Sequence, residues 1–278
     1  MRVVEIYQSL QGEGLLTGTP SVFVRASGCN LRCWFCDTPY ASWKPEGEDL
    51  SVDEIMRRVA ELRPTVGVQA LACYEQPDGW SPTLRFASEP ANGRPACSAD
   101  RPPTSDLRLP TSDLRHAVLT GGEPMLFAEL IPLTHQLHCL GFHITIETAG
   151  TLHLPVECDL MSISPKLSNS TPSAERDPRW HERHEQSRYV PEVVHRLLAD
   201  HAYQIKFVID APADCDEVEA YLHEFPEADR SRVLLMPQGT DCESLAERSI
   251  WLEPLCTERG FCFCPRRQIE WYGYARGT

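Results

Sequence analysis

Three cysteines within one short segment are the residues of this chain best suited to carry chemistry. Cys29, Cys33 and Cys36 follow the spacing C-x3-C-x2-C. Thiolates this close in sequence converge within one loop, where they bind soft metals such as iron or zinc. A closed structural zinc site needs four ligands and a ferredoxin-type cluster takes four cysteines, yet no fourth Cys or His lies nearby in the sequence. Three thiolates on a four-iron cluster leave one iron open to a small molecule.

The spacing leaves two metals to consider. Zinc is an alternative, because His116 or a distant cysteine can supply a fourth ligand. The open-iron arrangement resembles the radical-SAM superfamily, here with the aromatic Phe35 directly before Cys36. The resemblance implies a [4Fe–4S] cluster whose open iron chelates S-adenosylmethionine (SAM) and splits it into a radical. No side chain is predicted as a catalytic group, because the radical arises at the cluster.

A second motif, Thr120-Gly121-Gly122-Glu123-Pro124, ends a predicted strand further along the chain. Its glycines let the backbone approach a ligand closely, and Glu123 would stabilise the turn. The same residues also make a good tight turn without any ligand. Radical-SAM enzymes commonly carry a Gly-Gly-Glu at the second strand. The resemblance therefore implies that this turn lies beside the methionine amino group of SAM.

Further segments narrow the resemblance to one family. They are SLQGEG over residues 9–14, Phe23-Val24-Arg25, Cys36-Asp37-Thr38, ETAGT over 147–151 and SISPK over 162–166. Together they closely resemble the 7-carboxy-7-deazaguanine synthase family over most of the chain except residues 64–115. SLQGEG joined to the cysteine loop is highly specific, whereas the glycine turn alone is not.

The resemblance implies an activity and its partners. The substrate would be 6-carboxy-5,6,7,8-tetrahydropterin, and a carbon–nitrogen lyase reaction would contract its ring to 7-carboxy-7-deazaguanine with loss of ammonia. The product would serve queuosine biosynthesis for tRNA modification, or another deazapurine. The implied cofactors are the [4Fe–4S] cluster, SAM and Mg²⁺. A flavodoxin-type electron donor and a homodimer are expected on the same ground.

The resemblance also implies roles for matching positions. The metal ligands are Cys29, Cys33 and Cys36 for the cluster and Thr38 for Mg²⁺. The SAM site is lined by Phe35, Cys36, Asp37, Gly122, Ser164, Pro165 and Lys166. The substrate is bound by Leu10, Gln11, Gly12, Arg25 and Thr120, and by Thr278 if the chain end closes over it as in the family. Glu147 is expected to hydrogen-bond a ligand.

Structural explanations compete with several of these roles. Arg25 suits a bidentate carboxylate clamp but also suits an ion pair near its strand. Asp37-Thr38 is also an ordinary capping pair, and Glu147 has the alternative of a buried, paired carboxylate. Two other functions stay open as well. One is a radical-SAM activating enzyme that installs a glycyl radical on a partner protein, and the remoter one is a zinc or iron–sulfur binding module.

Composition limits the partners. The net charge of −14 argues against nucleic acid and anionic membranes, since both repel an acidic protein. No stretch is long and apolar enough to span a bilayer, and the first residues lead into a strand-like segment rather than a signal peptide. We therefore expect a cytoplasmic protein whose 12 cysteines stay reduced. Most cysteines outside the loop, including Cys262 and Cys264, are expected to be structural.

Strands and helices alternate along most of the chain. Strands are predicted over residues 20–27, 116–120, 142–148, 159–164, 203–210 and 232–236. Helices are predicted over residues 50–62, 127–140, 190–200, 214–225 and 241–259, and the polar residues 167–188 are predicted to form a loop. This order predicts an α/β fold with a mostly parallel sheet and outer helices, either doubly wound or a partial TIM-like barrel of the radical-SAM type. In both, ligands bind at the carboxyl ends of strands, where the motifs fall.

Residues 64–115 interrupt this pattern. They are rich in Pro, Ser, Arg and Asp, and residues 103–109 are nearly repeated as 110–116. Prolines exclude a coiled coil there. We predict a flexible, surface-exposed insertion without a catalytic role, within a single radical-SAM domain over residues 1–278.

Overall fold

A computed structural model describes residues 1–62 and 114–277 of the chain. Most of the predicted insertion, and Thr278, lie outside the described residues. The strands are β1 (Arg2–Leu10), β2 (Pro20–Ala26), β3 (Glu48–Asp49), β4 (His116–Gly121), β5 (His143–Thr148), β6 (Leu160–Ile163), β7 (Tyr203–Ile209), β8 (Val233–Pro237) and β9 (Cys262–Phe263). The α-helices are α1 (Val52–Glu61), α2 (Leu130–Cys139), α3 (Pro178–Ser187), α4 (Pro191–Asp200), α5 (Pro212–His223), α6 (Cys242–Arg259) and α7 (Arg267–Tyr272).

The strands form one open sheet in the order β3-β1-β2-β4-β5-β6-β7-β8-β9. β1 pairs antiparallel with β2 and β3, and every neighbouring pair from β2 to β9 is parallel. Parallel strands need crossover connections, which the intervening helices provide in most cases. This confirms the predicted α/β class, and the open sheet is consistent with a partial barrel.

The main hydrophobic core joins the sheet to its helices. Strand residues Leu119, Ile146 and Phe207 are buried in one cluster with the helix residues Leu133 and Leu197. Burying an apolar side chain of this size contributes about 1.5–3 kcal/mol. The core therefore fixes the strands from one face and leaves the other face free to carry polar groups.

Polar residues alternate with these apolar ones along the same strands. Thr120, Glu147 and Lys206 each follow a core residue by one position, so they point to the opposite face of the sheet. Arg25 of β2 lies beside Thr120 in the parallel register of β2 and β4. The strand pattern thus places a row of polar side chains on the face away from the core.

The prediction of a loop over residues 167–188 is wrong. This segment contains a short 3₁₀ turn (Ser168–Ser170) and helix α3. The carboxylate of Asp177 caps α3 by accepting a hydrogen bond from the backbone N–H of Trp180 at 3.1 Å, and Pro178 starts the helix. His184 is the residue that α3 buries, so the helix lacks the apolar stripe that sequence periodicity detects.

Helix ends differ elsewhere by a few residues. The helix predicted from residue 127 begins at Leu130, because a 3₁₀ turn (Pro124–Leu126) comes first. The helix predicted over residues 241–259 is confirmed, with Asp241 as its N-cap and Gly260 in the left-handed conformation at its end (φ +72°). Among the helices of residues 1–62 and 114–277, none has the length and apolarity to cross a membrane.

Candidate active site

A cavity of about 500 Å³ lies at the carboxyl ends of the parallel strands. Its wall includes the loop after β2, the turn after β4, the polar face of β5 to β7 and the segment that follows α7. This is the position at which parallel α/β sheets bind ligands. The cavity is therefore the candidate active site.

Most residues predicted for the site line this one cavity. They are Leu10, Gln11, Gly12, Arg25, Cys29, Cys33, Phe35, Cys36, Asp37, Thr38, Thr120, Gly122, Ser164 and Lys166. Pro165 is not among the lining residues, although both of its neighbours are. Thr278 lies outside the described residues. The chain fold thus brings segments more than a hundred residues apart onto one surface.

The cysteine loop leaves the end of β2 and turns back over the cavity. Gly28 adopts a positive φ of 140°, a conformation that favours glycine, directly before Cys29. The backbone N–H of Cys36 donates to the carbonyl of Cys33 at 3.3 Å, which closes a tight turn between the second and third cysteines. All three thiols lie on the cavity wall.

Burial controls the charge of these thiols. Burial, together with the nearby carboxylate of Glu123, raises the pKa of Cys29 to about 12, and burial raises the pKa of Cys33 to about 11. Cys29 and Cys33 are therefore protonated in the metal-free chain, and binding to iron would release their protons. Three cysteines that line one cavity, with Cys33 buried and Cys29 and Cys36 partly exposed, fit a [4Fe–4S] cluster with one open iron.

His116, the histidine that the zinc alternative requires, does not line the cavity with the three cysteines. His116, the suggested fourth ligand, instead packs its ring against that of His143, with 4.7 Å between the ring centroids.

The glycine turn fastens β4 to the cysteine loop. A Cβ atom on Gly122 would lie 2.1 Å from the carbonyl oxygen of Gly28, and one on Gly121 would lie 2.1 Å from that of Ala26. The backbone N–H of Gly122 donates to the carbonyl of Ala26 at 3.1 Å. The close approach that these glycines allow is therefore to the backbone leading into Cys29.

Glu123 stabilises this turn, as the sequence predicted. Its carboxylate is fully buried and accepts hydrogen bonds from the backbone N–H groups of Met125 (3.1 Å) and Ala149 (2.8 Å) and from the hydroxyl of Thr148 (2.9 Å). Burial raises the pKa of Glu123 despite these donors. Its contacts join the ends of β4 and β5, so they hold two walls of the cavity together.

Arg25 forms the ion pair considered for it and also lines the cavity. Its Nε donates to Glu5 Oε2 at 2.8 Å, and its Nη2 donates to the hydroxyl of Tyr7 at 2.8 Å. Glu5 and Arg25 are directly opposite each other in the antiparallel register of β1 and β2. The ion pair is thus present, and the guanidinium still lines the cavity.

Thr120 and Glu147 form a hydrogen-bonded pair on the cavity wall. The Thr120 hydroxyl donates to Glu147 Oε2 at 2.7 Å, and Glu147 Oε1 lies 3.5 Å from the ammonium of Lys206. The side chain of Glu147 keeps 34% of its surface exposed. Glu147 is therefore paired without being sealed from a ligand in the cavity.

Sequence reasoning missed a buried ionic network beside these residues. Lys206 Nζ donates to Glu13 Oε2 at 2.5 Å, and Arg266 Nε donates to Glu13 Oε1 at 3.2 Å. Arg266 also donates to the carboxylate of Asp37 on the cysteine loop. A lysine within the apolar strand sequence of β7 was the available signal, because a buried lysine requires a partner.

The end of the chain contacts the cysteine loop as well. The Tyr274 hydroxyl donates to the carbonyl of Asp37 at 2.6 Å, and the guanidinium of Arg276 stacks on Tyr40 at 3.6 Å from the ring centroid. Residues 273–277 line the cavity together with α7 residues. The segment after α7 therefore forms part of the cavity wall.

Comparison with known proteins finds related sequences and a similar fold. No family model matches the chain. The 7-carboxy-7-deazaguanine synthase of Rhodopirellula baltica is 39% identical over 277 residues, which cover 99% of this chain and 88% of the relative. The enzyme of that name from Halobacterium salinarum is 37% identical over 283 residues, covering 99% and 91%.

A solved structure supports the same fold. The crystal structure of QueE from Escherichia coli superposes with a TM-score of 0.58 at 20% identity and covers 96% of this chain and 93% of that chain. At this identity the likeness concerns the fold alone.

An open α/β sheet that carries a three-cysteine loop and a glycine turn at its carboxyl edge defines a radical-SAM enzyme. Within that class, the chain belongs to the 7-carboxy-7-deazaguanine synthase family. The cofactors of this family are a [4Fe–4S] cluster, SAM and Mg²⁺.

Proposed function

We propose that this chain converts 6-carboxy-5,6,7,8-tetrahydropterin to 7-carboxy-7-deazaguanine with release of ammonia, by radical-SAM chemistry. The observation that carries the proposal is that one cavity unites the thiols of the cysteine loop with the guanidinium of Arg25. A radical source and a carboxylate-binding group therefore face the same volume. Membership of the 7-carboxy-7-deazaguanine synthase family supplies the identity of substrate and product.

The three thiols would hold the cluster, and their neighbours would hold SAM. When bound, the cluster and SAM supply a radical that removes hydrogen from C6 of the pterin and returns it after ring contraction. Phe35, Asp37 and Gly122 line the cavity and would form its SAM side. Lys166 donates to the carbonyl (2.6 Å) and hydroxyl (2.7 Å) of Ser164, which folds this segment against the cavity wall.

The substrate side would consist of the turn after β1 and the polar face of the sheet. Arg25 would bind the pterin carboxylate, since its guanidinium is held in place by Glu5 and Tyr7. Leu10 to Gly12 would contact the pterin partly through the backbone, because the Gln11 side chain donates to the Ser21 hydroxyl at 2.9 Å. Thr120 would contact the substrate, and Thr278 stays a prediction from the resemblance.

Thr38 would bind Mg²⁺ on the cavity wall. Its hydroxyl is a hard oxygen ligand, as Mg²⁺ prefers, and lies 3.8 Å from the sulfur of Cys36. The neighbouring carboxylate of Asp37 already accepts a hydrogen bond from Arg266. We therefore infer that Thr38, and not Asp37, is the metal ligand of this pair.

The remaining expectations stay proposals. The acidic surface suits a small polar substrate better than nucleic acid or a membrane, and the cytoplasm is the compartment that keeps the cysteines reduced. A flavodoxin-type protein would supply the electron, and the chain would act as a homodimer with one domain per copy. These rest on the family resemblance and on the sequence.

Anaerobic turnover tests the proposed function. Reconstituted protein with reductant, SAM and the carboxypterin should form 7-carboxy-7-deazaguanine and ammonia, and omitting Mg²⁺ should slow the reaction. Cys29→Ala should abolish turnover, whereas Cys139→Ala, an exposed cysteine outside the cavity, should leave it unchanged. Thr38→Val should lose the response to Mg²⁺. Absence of the product from cluster-loaded wild-type protein would overturn the proposal.

A further inference from the structure

Helix α3 lies against the cysteine loop, although neither sequence motif predicts it. His184, completely buried, is the residue of α3 that reaches the loop backbone. Its Nδ1 accepts a hydrogen bond from the backbone N–H of Arg32 at 3.1 Å. Arg32 directly precedes Cys33, so this contact fixes the backbone on one side of the second cluster cysteine.

The other side of Cys33 is fixed by a partner of His184. The backbone N–H of Trp34 donates to the carbonyl of Ser170 at 3.1 Å. The hydroxyl of Ser170 lies 2.9 Å from His184 Nε2. His184 and Ser170 therefore form one bonded pair that holds the residues before and after Cys33.

The hydrogen bonds define the form of the His184 ring. The Ser170 hydroxyl donates its proton to the carbonyl of Leu167 at 2.6 Å, so its oxygen is left to accept from His184 Nε2–H. Nδ1 then carries the lone pair that accepts from Arg32. A neutral imidazole with its proton on Nε2 satisfies every partner, and this is the form that burial favours.

A second contact joins the same two elements. The guanidinium of Arg32 lies over the ring of Trp180 on α3, 4.1 Å from the ring centroid, and its Nη1 donates to the carbonyl of Cys29 at 2.7 Å. The loop between the first two cysteines is thus held by α3 through both backbone and side chain. Such cation–π contacts contribute about 0.5–1 kcal/mol at exposed sites.

We propose that His184, together with Ser170, is a positioning residue for the cluster: it holds the backbone around Cys33 in the conformation that presents the Cys33 thiolate to iron. The proposal rests on the proposed function only in taking Cys29, Cys33 and Cys36 as cluster ligands. Groups beyond the ligands commonly change metal affinity about 10–100-fold when they are removed.

Three variants separate this role from general stability. His184→Leu removes both hydrogen bonds, whereas His184→Asn places an amide oxygen close to the Nδ1 position and retains the acceptor for Arg32. His181→Leu is the matched control, because His181 lies on the same helix but hydrogen-bonds the carbonyl of Pro172, away from the loop.

Two measurements that do not depend on turnover report on the loop. One is the rate at which an iron chelator removes iron from the reconstituted protein, together with the electron paramagnetic resonance (EPR) spectrum of the reduced cluster. The other is hydrogen exchange of residues 29–36 in the metal-free chain. His184→Leu should lose iron about tenfold faster, broaden the EPR signal and exchange faster, whereas His184→Asn should stay within about threefold of wild type and His181→Leu should match it.

The proposal is overturned if folded His184→Leu retains iron and its EPR signal like wild type, or if His184→Asn behaves like His184→Leu. Equal iron loss in His181→Leu also overturns it. If His184→Leu does not fold, His184→Gln replaces it, since the Gln amide reaches the Nε2 position beside Ser170 but removes the Nδ1 acceptor from Arg32. Wild-type protein that holds iron but does not convert the carboxypterin would overturn the proposed function and leave this inference standing.

Discussion

Arg25 illustrates how single side chains in the cavity are oriented by their strand neighbours. Glu5 binds its Nε and Tyr7 binds its Nη2, and neither bond uses Nη1. Burial alone would lower the pKa of Arg25, but Glu5 and the two nearby tyrosines raise it, so the guanidinium stays charged. A charged group with one edge fixed and one edge available is suited to a carboxylate ligand.

Arg25→Lys tests this role. A lysine ammonium cannot serve Glu5, Tyr7 and a substrate carboxylate in the planar geometry of a guanidinium. We expect the KM for the carboxypterin to rise about tenfold or more, with a smaller change in kcat and an unchanged iron content. Steady-state kinetics under anaerobic conditions measure both constants.

Arg2→Lys is the matched control for this variant. Arg2 lies on β1, the strand that pairs with the strand of Arg25. Its guanidinium donates to the carbonyls of Glu46 (3.2 Å) and Pro45 (3.3 Å) outside the cavity. Its KM should equal that of wild type. If Arg25→Lys also leaves KM unchanged, Arg25 does not bind the substrate.

Local motifs predicted the parts of the site whose members are close in sequence. The cysteine loop, Thr38, Arg25 and the glycine turn all line one cavity. Glu13, Lys206 and Arg266 could not be paired in this way, because the fold alone brings such distant residues together. Pro165 belongs to a motif predicted for the site but does not line the cavity. A family motif alone does not say which of its residues faces the cavity.

At the scale of elements, the short helix α7 is fastened to the turn after β1. The backbone N–H of Arg267 donates to the carbonyl of Gly12 at 3.0 Å. A Cβ atom on Gly12 would lie 2.3 Å from Oε1 and 2.7 Å from the backbone nitrogen of Gln268. Because a backbone atom is that close, any larger residue at this position must displace α7.

Gly12→Ala should therefore weaken substrate binding by displacing α7 and not by removing a side chain that contacts the substrate. We expect the KM for the carboxypterin to rise about tenfold, because the turn and α7 both line the cavity and must move apart. The kinetic measurement is that used for Arg25→Lys, and hydrogen exchange of residues 267–272 should increase in the variant.

Gly18→Ala is the control within the same turn. Gly18 has a positive φ of 85°, but within residues 1–62 and 114–277 no atom apart from its chain neighbours lies within 4 Å of the added Cβ. This substitution should lower the free energy of unfolding by about 1 kcal/mol and leave KM unchanged. If KM rises equally in both variants, the cause is strain in the turn and not displacement of α7.

The elements themselves were predictable where apolar periodicity was strong. β4, β5 and β7 and helix α6 appear where the sequence placed them, with small shifts at the ends. Helix α3 was missed because its sequence is almost entirely polar, and its local signals were the capping residue Asp177 and Pro178 in the first turn. Tertiary contacts to the cysteine loop, which no local pattern encodes, stabilise it.

At the scale of the whole molecule, one buried ionic network joins its two ends. Glu13 from the turn after β1 binds Lys206 of β7 and Arg266 near the chain end, and Arg266 continues to Asp37 on the cysteine loop. The side chains of Lys206 and Arg266 are each 7% exposed. Removing one member of such a network leaves an uncompensated buried charge, which costs about 3–5 kcal/mol.

Glu13→Gln should lower the free energy of unfolding, and the size of this loss should depend on pH. Burial alone would raise the pKa of Glu13, but Lys206 and Arg266 outweigh it and lower the pKa from 4.5 to about 2. A lowered pKa in the folded state contributes stability that is present above pH 4.5 and is lost as the pH falls toward 2. We expect the variant to be less stable than wild type by about 3 kcal/mol at pH 7, and the difference to shrink below pH 4.5.

Urea unfolding of the metal-free chains between pH 7 and pH 3 measures this difference, and Glu54→Gln provides the control. The pKa of Glu54 is also lowered to about 2, by hydrogen bonds from Arg57 and Arg58, but Glu54 is on the surface of α1. Water and salt screen such a pair, so Glu54→Gln should change stability little and lose that effect in high salt. A difference between wild type and Glu13→Gln that stays constant across this pH range would show that the charge of Glu13 does not stabilise the fold.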